Sequence, residues 1–97
     1  MRFEFDWDPA KADSNRRKHG VSFEDAMAVF GDPLALSLLD HESGQGEERW
    51  VTIGRHPASH LLLVVHTYVE LSLERVAIRI ISARRPTARE VRQYEEG

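Results

Sequence analysis

Leu61-Leu62-Leu63-Val64-Val65 is apolar at every position, and Val64-Val65-His66-Thr67-Tyr68 carries the run onward. A strand alternates its side chains between two faces, so a strand built here is greasy on both. Such a segment belongs at the centre of a sheet, and it predicts a buried central strand over Leu61–Tyr68. The run is far too short to cross a bilayer, which takes about 20 apolar residues.

The rest of the pattern arranges itself around that strand. Phe3-Glu4-Phe5-Asp6-Trp7 alternates apolar and polar and reads as a short half-buried strand. Asp8 and Pro9 are a cap and a first-turn residue for a polar helix to Lys18, and Gly20 suits its left-handed end. Ser22 caps a second helix, in which Phe23, Ala26, Met27 and Phe30 recur at spacings of three and four; Gly31-Asp32-Pro33 stops it. Strands follow over Leu34–Leu39, Arg49–Gly54, Leu61–Tyr68 and Arg75–Ser82, with turns at His41–Glu47, His56–Ser59 and Glu70–Glu74. Pro86 opens a last helix over Thr87–Glu95. Short, hairpin-length connections predict an α+β fold: a four-stranded antiparallel sheet, two N-terminal helices before it and one C-terminal helix after it, helices on one face. A chain of 97 residues is expected to form a single domain, residues 1–97.

Composition removes several chemistries. The chain has no cysteine, so disulfides, thiolate metal sites and cysteine nucleophiles are excluded. No phosphate-binding glycine loop, no dinucleotide fingerprint and no serine-hydrolase elbow occurs, and the histidines have no metal-ligand spacing. No cofactor and no metal are expected. The N-terminus has no apolar run suited to a signal peptide, and the expected location is the cytoplasm. The net charge of −3 conceals a polarity along the chain. Met1–Glu48 holds five Lys or Arg against eleven Asp or Glu, whereas Arg49–Arg92 holds eight Arg against three Glu. All eight cations of that second segment are arginine, whose planar fork grips phosphate at two points.

Arg79, within the last strand, and Arg84 and Arg85, at its exit into a helix N-terminus, are candidates for holding phosphate. Arg55, at the end of the second strand of the meander, could add a further contact. His66 is the histidine of the central strand and a candidate proton carrier. Tyr94 is the second candidate for proton transfer, or a candidate for base stacking. The same residues admit a structural reading, with Arg79 paired to a glutamate and His66 a satisfied core residue. His41, His56 and His60 fall at turn edges and are expected to be exposed; His19 sits at a helix end, where it can bond the last carbonyls. With no protein nucleophile in evidence, RNA is the fitting substrate, because its own 2′-hydroxyl attacks the neighbouring phosphate.

Longer stretches carry a family resemblance. Phe5-Asp6-Trp7-Asp8-Pro9-Ala10-Lys11-Ala12, Lys18-His19-Gly20-Val21-Ser22-Phe23-Glu24-Asp25-Ala26, Glu47-Glu48-Arg49-Trp50-Val51-Thr52-Ile53-Gly54-Arg55 and Arg79-Ile80-Ile81-Ser82-Ala83-Arg84-Arg85-Pro86-Thr87 occur in this order. Together they resemble the BrnT family over nearly the whole chain. The resemblance implies a RelE-like fold and a metal-independent endoribonuclease toxin that cleaves messenger RNA. It also implies neutralisation by a BrnA-like antitoxin with a DNA-binding module, through which alone the toxin would reach operator DNA. One segment departs from the family: Tyr68-Val69-Glu70-Leu71-Ser72-Leu73-Glu74 is more apolar than the polar turn expected there.

Arg79, Arg84, Arg85 and His66 are thus the expected catalytic set, with Arg55 and Tyr94 as RNA contacts. An antitoxin is expected to cover the arginines of the last strand and helix. The alternative is a non-catalytic module that binds the antitoxin and modulates autoregulation, for which the acidic first half would suit a basic partner.

Overall fold

A computed structural model describes residues 1–40, 48–58 and 60–97. The expected turn at 41–47, with His41 and the Gly44-Gln45-Gly46 stretch, and Ser59 of the next turn lie outside the described residues. Strand β1 (Arg2–Asp6) leads into helices α1 (Pro9–His19) and α2 (Phe23–Ala28), and a 3-10 turn (Val29–Gly31) finishes the second. Strands β2 (Leu36–Asp40), β3 (Arg49–Arg55), β4 (Leu61–His66), β5 (Val69–Glu70) and β6 (Arg75–Arg84) follow, then helix α3 (Ala88–Glu96).

The helix ends obey their local chemistry. The Asp8 carboxylate accepts from the Ala10 N–H, Pro9 fills the first turn, and Gly20 closes α1 at a φ of 71°. Ser22 accepts from the Asp25 N–H to start α2. Thr87 and Glu90 form a reciprocal capping box on α3.

The sheet corrects the expectation in strand number and direction. It has six strands among the described residues, ordered β1-β6-β4-β3-β2 with β5 also on β6, rather than four. It is mixed rather than antiparallel, because β1 runs parallel to β6 from Arg2 beside Arg75 to Asp6 beside Arg79. No turn joins these partners, so no local signal announces the pairing. The sixth strand arises because β4 ends at His66. Its register on β6 shifts between Val65 and His66, and β5 then resumes the pairing through Val69 beside Ala77.

The apolar run has the environment it demands. Leu62 and Val64 face a core with Val21, Phe23, Ala26, Val29, Val76, Ile78, Ile80 and Ala83 under α1 and α2. Leu61 and Leu63 face a second core with Ile53 and Tyr94, against which Val91 of α3 packs. The helices therefore cover both faces of the sheet, not one. Of the expected stripe on α2, Phe23 is fully buried and Met27 and Phe30 are partly so; Ala26 and Val29 complete it.

Two details fix the geometry near the end of β3 and β6. Gly54 passes so close to the 3-10 turn that a Cβ would lie 2.9 Å from both the Cβ and the carbonyl oxygen of Val29. Asn15, the one buried residue of α1, donates through Nδ2 to the carbonyls of Val21 and Ala83 at 3.1 and 2.8 Å and accepts at Oδ1 from the Ala83 N–H at 3.1 Å. Removing it leaves buried backbone groups unpaired, at about 1–3 kcal/mol each. Asn15→Ala should therefore lower Tm by at least about 8 °C, since about 1 kcal/mol moves a chain of this size by about 4–8 °C. Gly54→Ala should destabilise by about 1–3 kcal/mol through overpacking against Val29. Thermal unfolding followed by circular dichroism checks both, and a Tm within 2 °C (roughly 0.5 kcal/mol) of the parent for either variant would contradict the contact.

Candidate functional site

Three depressions sit where β3, the β3–β4 turn, the exit of β6 and the α1–α2 corner converge. One of about 310 Å³ is bordered by Arg55, Arg85 and Glu95, one of about 330 Å³ by Asp32, Arg55 and His56, and one of about 320 Å³ by His19, Asp25, His60 and Arg85. Arg55 and Arg85 are thus shared between neighbours. Arg85 is exposed and forms no ion pair among the described residues.

Asp32 organises one flank. Its carboxylate accepts from the Leu34 N–H at 2.9 Å, the Arg55 N–H at 2.8 Å and the Tyr94 hydroxyl at 2.6 Å. Burial acts to raise its pKa, but these hydrogen bonds, that of Tyr94 foremost, hold it below the usual carboxylate range. The same bond to Asp32 raises the Tyr94 phenol. The Arg55 guanidinium lies 5.7 Å from the Tyr94 ring centroid, a cation–π arrangement that fixes the arginine beside α3. Tyr94 is itself buried, so its ring supports Arg55 rather than lying open for a base to stack on.

Histidines form the other flank. The His56 and His60 rings stack with centroids 5.0 Å apart and planes 9° from parallel. His56 places Nε2 3.2 Å from the Asp25 carboxylate, and its Nδ1 accepts from the Ala58 N–H at 2.9 Å. Since Nδ1 accepts, Nε2 carries the proton and donates to Asp25. His19 and His60 line the same depression as Arg85. Reading His56 and His60 as exposed turn residues overlooked the geometry. Residues flanking a tight hairpin turn stand opposite each other, and here the His56 N–H bonds the His60 carbonyl at 2.8 Å. That spacing was the available signal; the approach of Asp25 and Arg85 had none.

The structure gathers Arg55, Arg85 and Tyr94 and separates the remaining candidates. Arg84 is held by both nitrogens of its fork to Glu90, at 2.9 and 3.0 Å, and that bond lowers the Glu90 carboxyl. Because Glu90 is also half of the capping box, Arg84 locks the start of α3. Arg79 pairs with Asp6 at 3.1 Å on the β1 side of the sheet, an aspartate rather than the glutamate of the structural reading. His66 lies opposite Ile80 and faces the α1–α2 core, whereas Arg79, one residue before Ile80, points to the other face.

His66 is 2% exposed. Its Nδ1 lies 2.8 Å from the Thr67 carbonyl, which can only accept, so Nδ1 is the protonated nitrogen. Its Nε2 must then accept from the Thr52 hydroxyl at 2.7 Å, and Thr52 in turn accepts from Ser37 at 2.8 Å. Both ring nitrogens are therefore committed inside the protein, and Phe30 covers the ring edge-to-face at 4.8 Å.

These observations define a class: a small α+β protein with a preorganised cationic and imidazole cluster at one end, suited to a phosphate-bearing polymer. A family model described as "Ribonuclease toxin, BrnT, of type II toxin-antitoxin system" matches residues 7–90, and the chain belongs to that family. The crystal structure of the Brucella abortus ribonuclease toxin BrnT superimposes with a TM-score of 0.60 at 20% identity, covering 89% of this chain and 99% of that one. This likeness shows the shared fold. No curated relative matches the chain. No helix among the described residues is long and apolar enough to cross a membrane.

Burial pushes the His66 pKa down, outweighing its bond to Thr67, so the folded state resists protonating it. The unfolded chain, with an ordinary histidine value near 6.5, then binds more protons than the folded one below that pH. Stability contributed by neutral His66 is complete above about pH 6.5 and is lost as pH falls toward the depressed folded value. The drop in Tm between pH 7.5 and 5.5 should therefore be smaller in His66→Gln than in the parent, read by calorimetry across that range (roughly one unit either side of the ordinary value). Equal drops would show that His66 is not buried as a neutral ring.

Proposed function

We propose that the chain is a metal-independent endoribonuclease toxin that cleaves messenger RNA at the cluster of Arg55, Arg85, His60 and His19, and that a BrnA-like antitoxin neutralises it. The observation that carries this reading is Arg85. It is a cation with no ion pair among the described residues, set beside two imidazoles that make no hydrogen bond among those residues, in a family of ribonuclease toxins.

The chemistry uses the substrate's own nucleophile. The 2′-hydroxyl loses its proton to an imidazole and attacks the adjacent phosphorus. The P–O5′ bond breaks, the 5′ oxygen gains a proton, and a 2′,3′-cyclic phosphate and a 5′-hydroxyl result. His60, stacked on an Asp25-anchored His56, is assigned the first proton transfer; His19, on the same depression, is assigned the second. An imidazole can accept a proton at one ring nitrogen and donate one from the other, so it can serve either way. Arg85 and Arg55 neutralise charge on the pentacoordinate phosphorus and its neighbour, and Tyr94 and Asp32 hold Arg55 in place. Arg84, Arg79 and His66 serve this site by holding α3, the β1 edge and the sheet core.

Loss of one preorganised donor costs about 2.7–4 kcal/mol in the transition state, a hundredfold or more in rate. Arg85→Ala and His60→Ala should each lower RNA cleavage by about that factor while Tm stays near the parent's. Arg79→Ala should leave cleavage within a few-fold, its salt bridge being half exposed and worth about 0–1 kcal/mol. Cleavage of a defined RNA by the purified variants checks this. Parental rates in Arg85→Ala would overturn the site, and a larger loss in Arg79→Ala would move it to the middle of β6, beside β1.

A further inference from the structure

A separate cleft lies away from the arginine site. It is a volume of about 780 Å³ lined by Phe3, Phe30, Trp50 and Tyr68, with Glu48 and Glu70 among its bordering residues. It opens on the face of the sheet on which α1 and α2 pack over β6 and β4 and the 3-10 turn reaches β3.

Its charge is opposite to that of the arginine site. Elsewhere Glu4 pairs with Arg75, Asp6 with Arg79, Asp13 with Arg17 and Glu90 with Arg84. Glu48 and Glu70 have no cationic partner among the described residues. The hydroxyl chain adds to this. Because Ser37 donates to Thr52, and Thr52 to His66, the exposed Ser37 oxygen offers only lone pairs to the cleft. Aromatic rings, free carboxylates and an acceptor-only hydroxyl together suit a cationic donor on an apolar stem, a guanidinium or ammonium group. A phosphate is disfavoured by the same carboxylates. The apolar surface also continues past the cleft, with Val69 52%, Leu71 48% and Leu73 96% exposed. Those residues lie in the segment that departs from the family pattern.

We infer that this cleft is the docking site for a segment of the antitoxin that presents an arginine or lysine flanked by apolar side chains. The cation sits between the rings and Glu48 and Glu70, and the flanking apolar residues cover Val69, Leu71 and Leu73. The partner is the antitoxin of the preceding reading, and the inference rests on that reading. It places the basic partner on the acidic, aromatic end of the molecule and leaves the arginine end to RNA. The simpler expectation, an acidic segment laid over the arginines, leaves this cleft without an occupant.

Calorimetric titration of the full toxin with its cognate antitoxin tests the site, using the parent, the double variant Glu48→Gln/Glu70→Gln, and Leu73→Asp, whose side chain is free of the core. Each variant should weaken binding at least tenfold. The double variant should also lose most of the parent's salt dependence, while RNA cleavage and Tm stay unchanged. Dissociation constants within twofold of the parent in both variants would overturn the inference. So would loss of RNA cleavage in the double variant with antitoxin affinity intact, which would give the cleft to RNA. A parent that is dimeric by light scattering and becomes monomeric in the double variant would give it to a second copy. Failure of the parent to cleave RNA would sink the ribonuclease reading alone, because the titration still decides the cleft.

Discussion

The carboxamide of Asn15 holds together the two pieces of chain on which the arginine site depends. Strand β1 pairs with β6 only as far as Asp6 beside Arg79. Four residues further along β6, the Ala83 N–H and C=O are both bonded by Asn15, so one side chain takes the place of the missing strand. The other Nδ2 hydrogen reaches Val21, in the corner between α1 and α2. That corner carries His19 and leads into Asp25, while Ala83 leads directly into Arg84 and Arg85. A buried amide with its bonds made is rigid, and one with a partner removed is costly. The distance from the histidine flank to Arg85 is therefore set by one residue of a helix otherwise lying on the surface.

Around this clamp the protein separates its charges by end. Arg84 is spent on Glu90 and Arg79 on Asp6, leaving Arg85 as the strand-exit cation not tied up by a carboxylate. Arg55 is aimed by the Tyr94 ring and by the backbone bond to Asp32. At the other end Glu48 and Glu70, without a cationic partner among the described residues, border four aromatic rings. A small protein whose family implies both a polyanionic target and a protein partner can keep the two apart in this way, since like charges at each end reject the other's ligand.

At His66 residue type and surroundings point in different directions. A histidine in a central strand invites a proton-transfer role. Alternation puts it on the same face as Leu62 and Val64, and there Phe30, Thr52 and the Thr67 carbonyl enclose it. The histidines near Arg85 looked ordinary in sequence because each lies in or beside a turn. Their neighbours Asp25 and Arg85 come from other elements, and no spacing along the chain encodes that approach.

What the sequence determined by itself follows from short-range physics. Helix caps at Asp8 and Ser22, the left-handed Gly20 and the two-sided run from Leu61 are satisfied within a few residues or by strand alternation, so their signals are local. The family resemblance was also legible, since it rests on ordered motifs along the chain. Tertiary structure alone decided the parallel pairing of β1 with β6, the division of helices between two faces, and which strand-exit arginine has no ion pair among the described residues. The first two, and the Arg79–Asp6 pair, depend on partners tens of residues apart, brought together by burying the run from Leu61 on both sides. Burial is non-directional, so it demanded two covering layers without naming them; hydrogen-bond register and ion pairing, which are directional, made the choice.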